Sequence, residues 1–342
     1  MINQNWVFGR HAGLDFGTGN PMPTPTSGFA MNTFEGCASV SDQNGNLIFY
    51  TDGQAVWDSN HQQVHSGLRG DPSSTQSSII VPDPANSDQY FIFTTDGTSN
   101  PNPPFHHFDG VLIEPQNNWA VSPVFDGTND PPTQLFSPTE RLTAIQRPNC
   151  RDFWIVTIVQ ETRSPSEVGL NFGPGHIRIF SLDNNGLSHV RDVDMQRITR
   201  DMGCLRIDPS GTQLAVANND GEVLVYPFDN QLGEVDILGV RVFNIPNSNS
   251  TTQTPYGVEF SENGRYLYYT LLSVGTGPIF QIDLSTTSFA STEIGTIPSN
   301  GNRYAIGALQ RFIQASKTFL CCHGNIVVSL SPWCTAACSS VP

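Results

Sequence analysis

The chain is poor in basic residues: lysine and arginine number 16 against 31 aspartates and glutamates, a net charge of −15 at pH 7. Nucleic acid and anionic membrane surfaces need neutralising cations, so neither is expected as a partner. No apolar run approaches the roughly 18 residues a membrane-spanning helix requires, and no membrane insertion is expected. The opening residues MINQNWVFGRHAGLDF lack a basic region followed by an apolar stretch, which predicts no signal peptide. No long segment repeats its apolar residues at helical spacing, so helices should be few. A nucleophile elbow, a zinc-binding helix motif and a glycine-rich phosphate loop are all missing, which removes the simplest routes to an enzyme. Cysteine is sparse and odd in number, with seven in the chain, and that is no disulfide framework.

What is present is repetition. MGCLRIDPSGTQLAVANNDGEVLVYPFDN (Met202–Asn230) returns as TPYGVEFSENGRYLYYTLLSVGTGPIFQIDLS (Thr254–Ser285). Each reads as a short strand, a polar turn ending on Ser-Gly or Asn-Gly, a second strand and a third. A strand-only unit of about 50 residues is the signature of a β-propeller blade, whose two faces are buried only by neighbouring blades. Further copies start at Gly36–Asn60, Ser77–Gly97, Leu142–Gln160 and, more weakly, Tyr304–Gln310, giving six units. Asn44-Gly45 and its equivalents predict two-residue hairpins with positive φ at both central positions. The fold expected is all-β: a single β-propeller of six or seven four-stranded blades with few or no helices, one domain over 1–342. The strands Trp6–Gly9 and Gly13–Phe16 are left over; they are expected to complete the last unit and close the ring, removing an exposed sheet edge, the alternative being an extra edge hairpin. Residues 311–342 are a divergent last blade or a tail. Cys37 and Cys204 fall at like positions at the starts of innermost strands, where small apolar side chains pack. Cys321, Cys322, Cys334 and Cys338 beside His323 leave zinc as an alternative, although a C-x₃-C spacing without a partnered histidine falls short of the usual pattern.

Two sets of motifs carry a resemblance to a known family. One is NWVFGRHAGLDF followed by FEGCASVSDQNGNLIFYTDGQAVWDSNHQQV and SSTQSSIIVPDPANSDQYFIFTTDG; the other is PYGVEFSENGRYLYYT with IGALQ. Together they resemble the propeller domain near the amino terminus of Bacteroidetes surface proteins associated with gliding motility and type IX secretion. The resemblance runs from about Trp6 to Gln310. It implies a non-enzymatic extracellular or cell-surface module, with YVTN- or WD40-like blades. Against that pattern, the sequence is expected to carry no signal peptide, no immunoglobulin-like repeats after the propeller and no sorting domain.

Innermost strands of a propeller run along its axis, so residues just before them gather at one mouth of the channel. Glu35, Gln76, Glu140, Asp201, Tyr256 and Arg303 hold these places, and three carboxylates, an amide, a phenol and a guanidinium make a candidate polar binding site. The alternative role for them is to cap strands and bond adjacent blades, with Arg303 neutralising the acids. The long polar connections Thr98–His107, Asp126–Glu140, Gln160–Gly175 and Pro246–Thr254 offer a second surface. Phe105, His106, His107 and Trp119 are its candidate contacts, beside Phe108 and Phe136, unless the aromatics fill gaps between blades. The function expected is non-catalytic recognition or adhesion, with a protein or glycan as partner and no cofactor. The alternative is a lactonase-like propeller hydrolase holding a divalent metal such as calcium on Glu35, Glu140 and Asp201, with His106 or His107 as base. SDQNGN and DNNG resemble fragments of a calcium loop without completing its roughly twelve-residue ligand pattern, and read better as turns.

Overall fold

The computed structural model describes residues 4–17, 23–96, 108–126, 136–161, 172–218, 220–245, 254–272, 277–287, 290–297, 309–314, 317–322, 326–330 and 337–340. They form an all-β structure with no helix among the described residues, a β-propeller with six four-stranded blades. The chain divides into two units, 1–201 and 202–342. The first holds a three-stranded sheet of β1 (Asn5–Phe8), β2 (Arg10–Asp15) and β3 (Thr24–Asn32). Three blades follow it. These are β4 (Ala38–Ser41), β5 (Leu47–Thr51), β6 (Ala55–Asp58) and β7 (Gln63–Ser66); β8 (Ser78–Pro82), β9 (Tyr90–Thr95), β10 (Phe108–Glu114) and β11 (Ala120–Asp126); and β12 (Phe136–Gln146), β13 (Phe153–Glu161), β14 (Phe172–Asp183) and β15 (Gly186–Arg200).

The second unit holds three more. β16 (Leu205–Ile207), β17 (Gln213–Asn218) and β18 (Glu222–Asp229) are completed by β20 (Arg241–Asn244), with the short β19 (Glu234–Val235) beside them. β21 (Thr254–Phe260), β22 (Tyr266–Leu272), β23 (Gly277–Asp283) and β24 (Ser291–Ile297) make the next, and β25 (Gln310–Gln314), β26 (Lys317–Cys322), β27 (Ile326–Leu330) and β28 (Ala337–Ser340) the last. Every pairing is antiparallel between sequence neighbours, apart from β18 with β20.

Second strands explain why the repeat is legible. Tyr90–Thr95 is buried at every position, and Gln213–Asn218 and Tyr266–Leu272 nearly so. A strand covered on both faces reads as a continuous apolar run, whereas an outer strand such as Gln63–Ser66 faces water. Between blades these runs meet. Val81, Phe93 and Phe108 pack with Leu142, Ile155 and Phe180 in the first unit. In the second, Cys204, Ala215 and Val225 pack with Val258, Phe260 and Tyr269. Cys204 is fully buried and Cys37 half-buried against the cluster around Tyr50 and Trp57, as apolar packing at those positions requires. Burial and the nearby Asp52 charge push the Cys37 thiol up to about 12.

β1 and β2 pair with β3 in a sheet of their own, Trp6 opposite Leu14. One expectation is corrected: the Asn-Gly turn is longer than a two-residue hairpin. Ser41 pairs with Leu47, Gly45 has φ 87°, and Asn44 stays out of the positive-φ region. The Asp42 carboxylate is the reason: it accepts the N–H groups of Asn44 and Asn46, each at 2.8 Å, and so holds a wider loop. Asp208 does the same in the DPSG turn, accepting the N–H groups of Thr212 at 2.7 Å and Gln213 at 2.6 Å.

Candidate functional site

The positions singled out before the first strands share a backbone role. In the first unit, Gly36 N–H donates to Ser74 O at 2.9 Å, Gln76 N–H to Glu140 O at 3.1 Å, and Glu140 N–H to Asp201 O at 3.0 Å. Each link runs from one blade to the next; Glu140 does not precede its first strand as expected but lies within β12, at the bulge between Pro138 and Leu142, and Tyr256 lies likewise within β21. The second unit repeats the link from Cys204 N–H to Tyr256 O at 2.7 Å.

Side chains reinforce these joints. Glu140 Oε2 accepts from Thr75 N–H at 2.9 Å and from the Thr75 hydroxyl at 2.7 Å. Gln76 Oε1 accepts the Leu142 N–H at 3.2 Å. Arg141, fully buried, donates through Nη1 to the carbonyls of Arg200 and, at 3.2 Å, Asp201. Asp201 is buried, and its Oδ2 has no hydrogen-bond partner among the described residues. Burial first, and the Glu140 charge second, push its carboxyl up to about 7; Arg141 and a hydrogen bond from Gln160 pull the other way. Gln76, Glu140 and Asp201 are thus brought together. Glu35 is half-buried in the neighbouring loop, its N–H bonded to Pro72 O at 2.9 Å. Tyr256 is buried in the second unit.

Arg303, Phe105, His106 and His107 lie outside the described residues, as do Cys334 and His323 and most of the four long connections. Trp119 is half-buried with its ring edge-to-face on Phe49 at 5.9 Å, and Phe108 stacks on Phe180 at 5.0 Å, so both meet the core. A divalent metal fits the carboxylates poorly. Glu140 already holds two donors, Asp201 keeps its proton to near neutrality, and no three His, Cys, Asp or Glu side chains converge among the described residues.

Sequence reasoning missed Thr75 and Arg141, which flank chosen residues and do as much of the joining. It missed Glu259, buried in the second unit, whose Oε2 accepts from Arg206 Nε at 3.3 Å and from Arg311 N–H at 3.2 Å. It missed Phe34, 63% exposed, a phenylalanine alone among polar residues in NTFEG.

No protein-family model matches the chain, and no curated protein matches it. Solved structures do. A putative 6-phosphogluconolactonase from Bacteroides uniformis has a TM-score of 0.54 at 13% identity, covering 96% of this chain and 90% of that one. The Dos1 propeller has a TM-score of 0.51 at 10% identity, covering 96% and 81%. The Cps50 (Swd1) β-propeller domain from Myceliophteria thermophila has a TM-score of 0.48 at 11% identity, covering 98% and 96%. At such identities the likeness concerns the fold alone, a β-propeller, and that frame hosts unrelated activities.

Proposed function

We propose that the chain is a non-catalytic recognition and adhesion module of a cell-surface or particle assembly. It holds a protein or glycan on the loops around the starts of its first strands. The observation that carries this reading is the commitment of Gln76 and Glu140 to joining blades: their side-chain oxygens accept from Leu142 and Thr75 instead of standing open to a substrate. A rigid β frame with long polar connections suits binding on loops. The extracellular setting rests on the resemblance of NWVFGRHAGLDF and the motifs after it to propellers of Bacteroidetes gliding and type IX-secreted proteins. The immobilised chain, offered a glycan array and candidate surface proteins, is expected to bind at least one saturably while leaving lactones intact. Turnover of a sugar lactone above background would overturn the reading.

One observation favours the lactonase-like alternative. A carboxyl poised at about 7 with an unpartnered oxygen, as in Asp201, has the character of a general acid. Under that alternative Asp201→Asn abolishes lactone turnover; under the proposal there is none to abolish.

A further inference from the structure

Phe34 is an exposed phenyl on a pinned loop. Thr33 N–H donates to Gly9 O at 3.1 Å, Glu35 N–H to Pro72 O at 2.9 Å and Gly36 N–H to Ser74 O at 2.9 Å, and the Thr33 hydroxyl adds a bond to Pro72 O at 3.2 Å. Gly36 packs so closely that a Cβ there would lie 2.1 Å from Ser77 N. The ring is therefore held out in water with its backbone fixed, an arrangement that loses little entropy on binding. Burying such a phenyl against a ligand would stabilise the complex by about 2 kcal/mol.

Arg10 supplies the second half of the arrangement. Its guanidinium lies over the Phe34 ring, 5.4 Å from the centroid. Arg69, Arg151, Arg178 and Arg265 each pair with an aspartate, yet Arg10 has no carboxylate or carbonyl partner among the described residues. In a chain with 31 acids and 16 bases, that leaves a planar fork available to an outside carboxylate. The exposed Asn32, opposite Arg10 in the β2–β3 pairing, adds an amide to the same surface.

We propose that Phe34 and Arg10 anchor a carboxylate-bearing sugar, such as a uronic-acid residue within a glycan. The apolar face of the sugar ring stacks on Phe34 and its carboxylate meets the Arg10 fork. This deepens, and rests on, the recognition reading above. A sugar is favoured over a peptide because the phenyl protrudes among polar neighbours; a peptide anchor fills a concave apolar pocket.

The test titrates the full chain with a uronic-acid trisaccharide, its methyl ester and an oligoglutamate peptide, by calorimetry and saturation-transfer NMR. Saturable binding of the acid is expected, about tenfold weaker for the ester and for each of Phe34→Ala, Arg10→Gln and Arg10→Lys. Leu238→Ser, at a leucine 91% exposed in the second unit, should leave it unchanged. Circular dichroism confirms that the variants fold. No saturation at millimolar trisaccharide, indifference to both the Phe34 and Arg10 variants, or equal binding of oligoglutamate would each overturn the proposal. If the trisaccharide fails while the chain still captures another glycan or a protein, this anchor is wrong and the recognition reading stands. Lactone turnover without binding sinks both.

Discussion

Asp201 gives unit 1–201 a pH dependence of unusual sign for an aspartate. Its folded-state carboxyl lies at about 7, above the 3.8 of an unhindered aspartate, because burial and the Glu140 charge disfavour the anion. Between those values the folded chain binds more protons than the unfolded one. The contribution is therefore complete below about pH 4 and disappears as pH rises through 7, with an upper size of about 4 kcal/mol. Asp192 has the opposite sign: the Arg178 fork and His189 hold it low, so its contribution is lost on acidification. Urea titrations from pH 4 to 8 should show Asp201→Asn gaining on the wild type as pH rises; a constant difference would contradict the assignment. At Glu140, Thr75→Val removes a hydroxyl donor to a buried carboxylate and should destabilise by about 1.5–3 kcal/mol. The midpoint of the same denaturation reads this, and a change under 0.5 kcal/mol would show the bond to be dispensable.

Among the elements, β4 follows a loop pinned at Thr33, Glu35 and Gly36. Gly36→Ala places a methyl group against Ser77 N and the Ser74 carbonyl, and should cost about 1–3 kcal/mol or more through displacement of the loop. A loss below about 0.5 kcal/mol on urea unfolding would mean that the loop gives way freely. Strands were legible wherever two-sided burial writes an apolar run, as at Tyr90–Thr95, and turns were legible by position from their glycines. Turn geometry was not, because the Asp42 carboxylate sits outside the Asn-Gly pair that the rule considers. The third strand of the sheet with β1 and β2, β3 (TPTSGFAMN), was missed because a proline and a glycine interrupt it and it carries few apolar residues. At the site, counting back from first strands found Gln76, Glu140 and Asp201, since the repeat fixes where those strands begin. What the residues do there was not readable: a glutamate bonded to Thr75 and one open to solvent look alike in sequence. Phe34 passed unnoticed because an exposed phenylalanine and a core one are the same letter.

For the molecule as a whole, charge sets behaviour in solution. With a net charge of −15 and a pI near 4.7, repulsion keeps chains apart at neutral pH, and solubility should pass through a minimum near pH 4.7. Turbidity against pH measures this, and a minimum above pH 6 would contradict it. Architecture, by contrast, hardly depends on which residues are present. The links between strand starts, from Gly36 to Ser74, Gln76 to Glu140 and Glu140 to Asp201, run from amide to carbonyl. Any non-proline residue brings those atoms, so a joint is indifferent to its side chains wherever, unlike at Gly36, there is room for a Cβ. Many different sequences can therefore carry blades joined in this way, and solved propellers at 10–13% identity share this chain's fold with few of its residues.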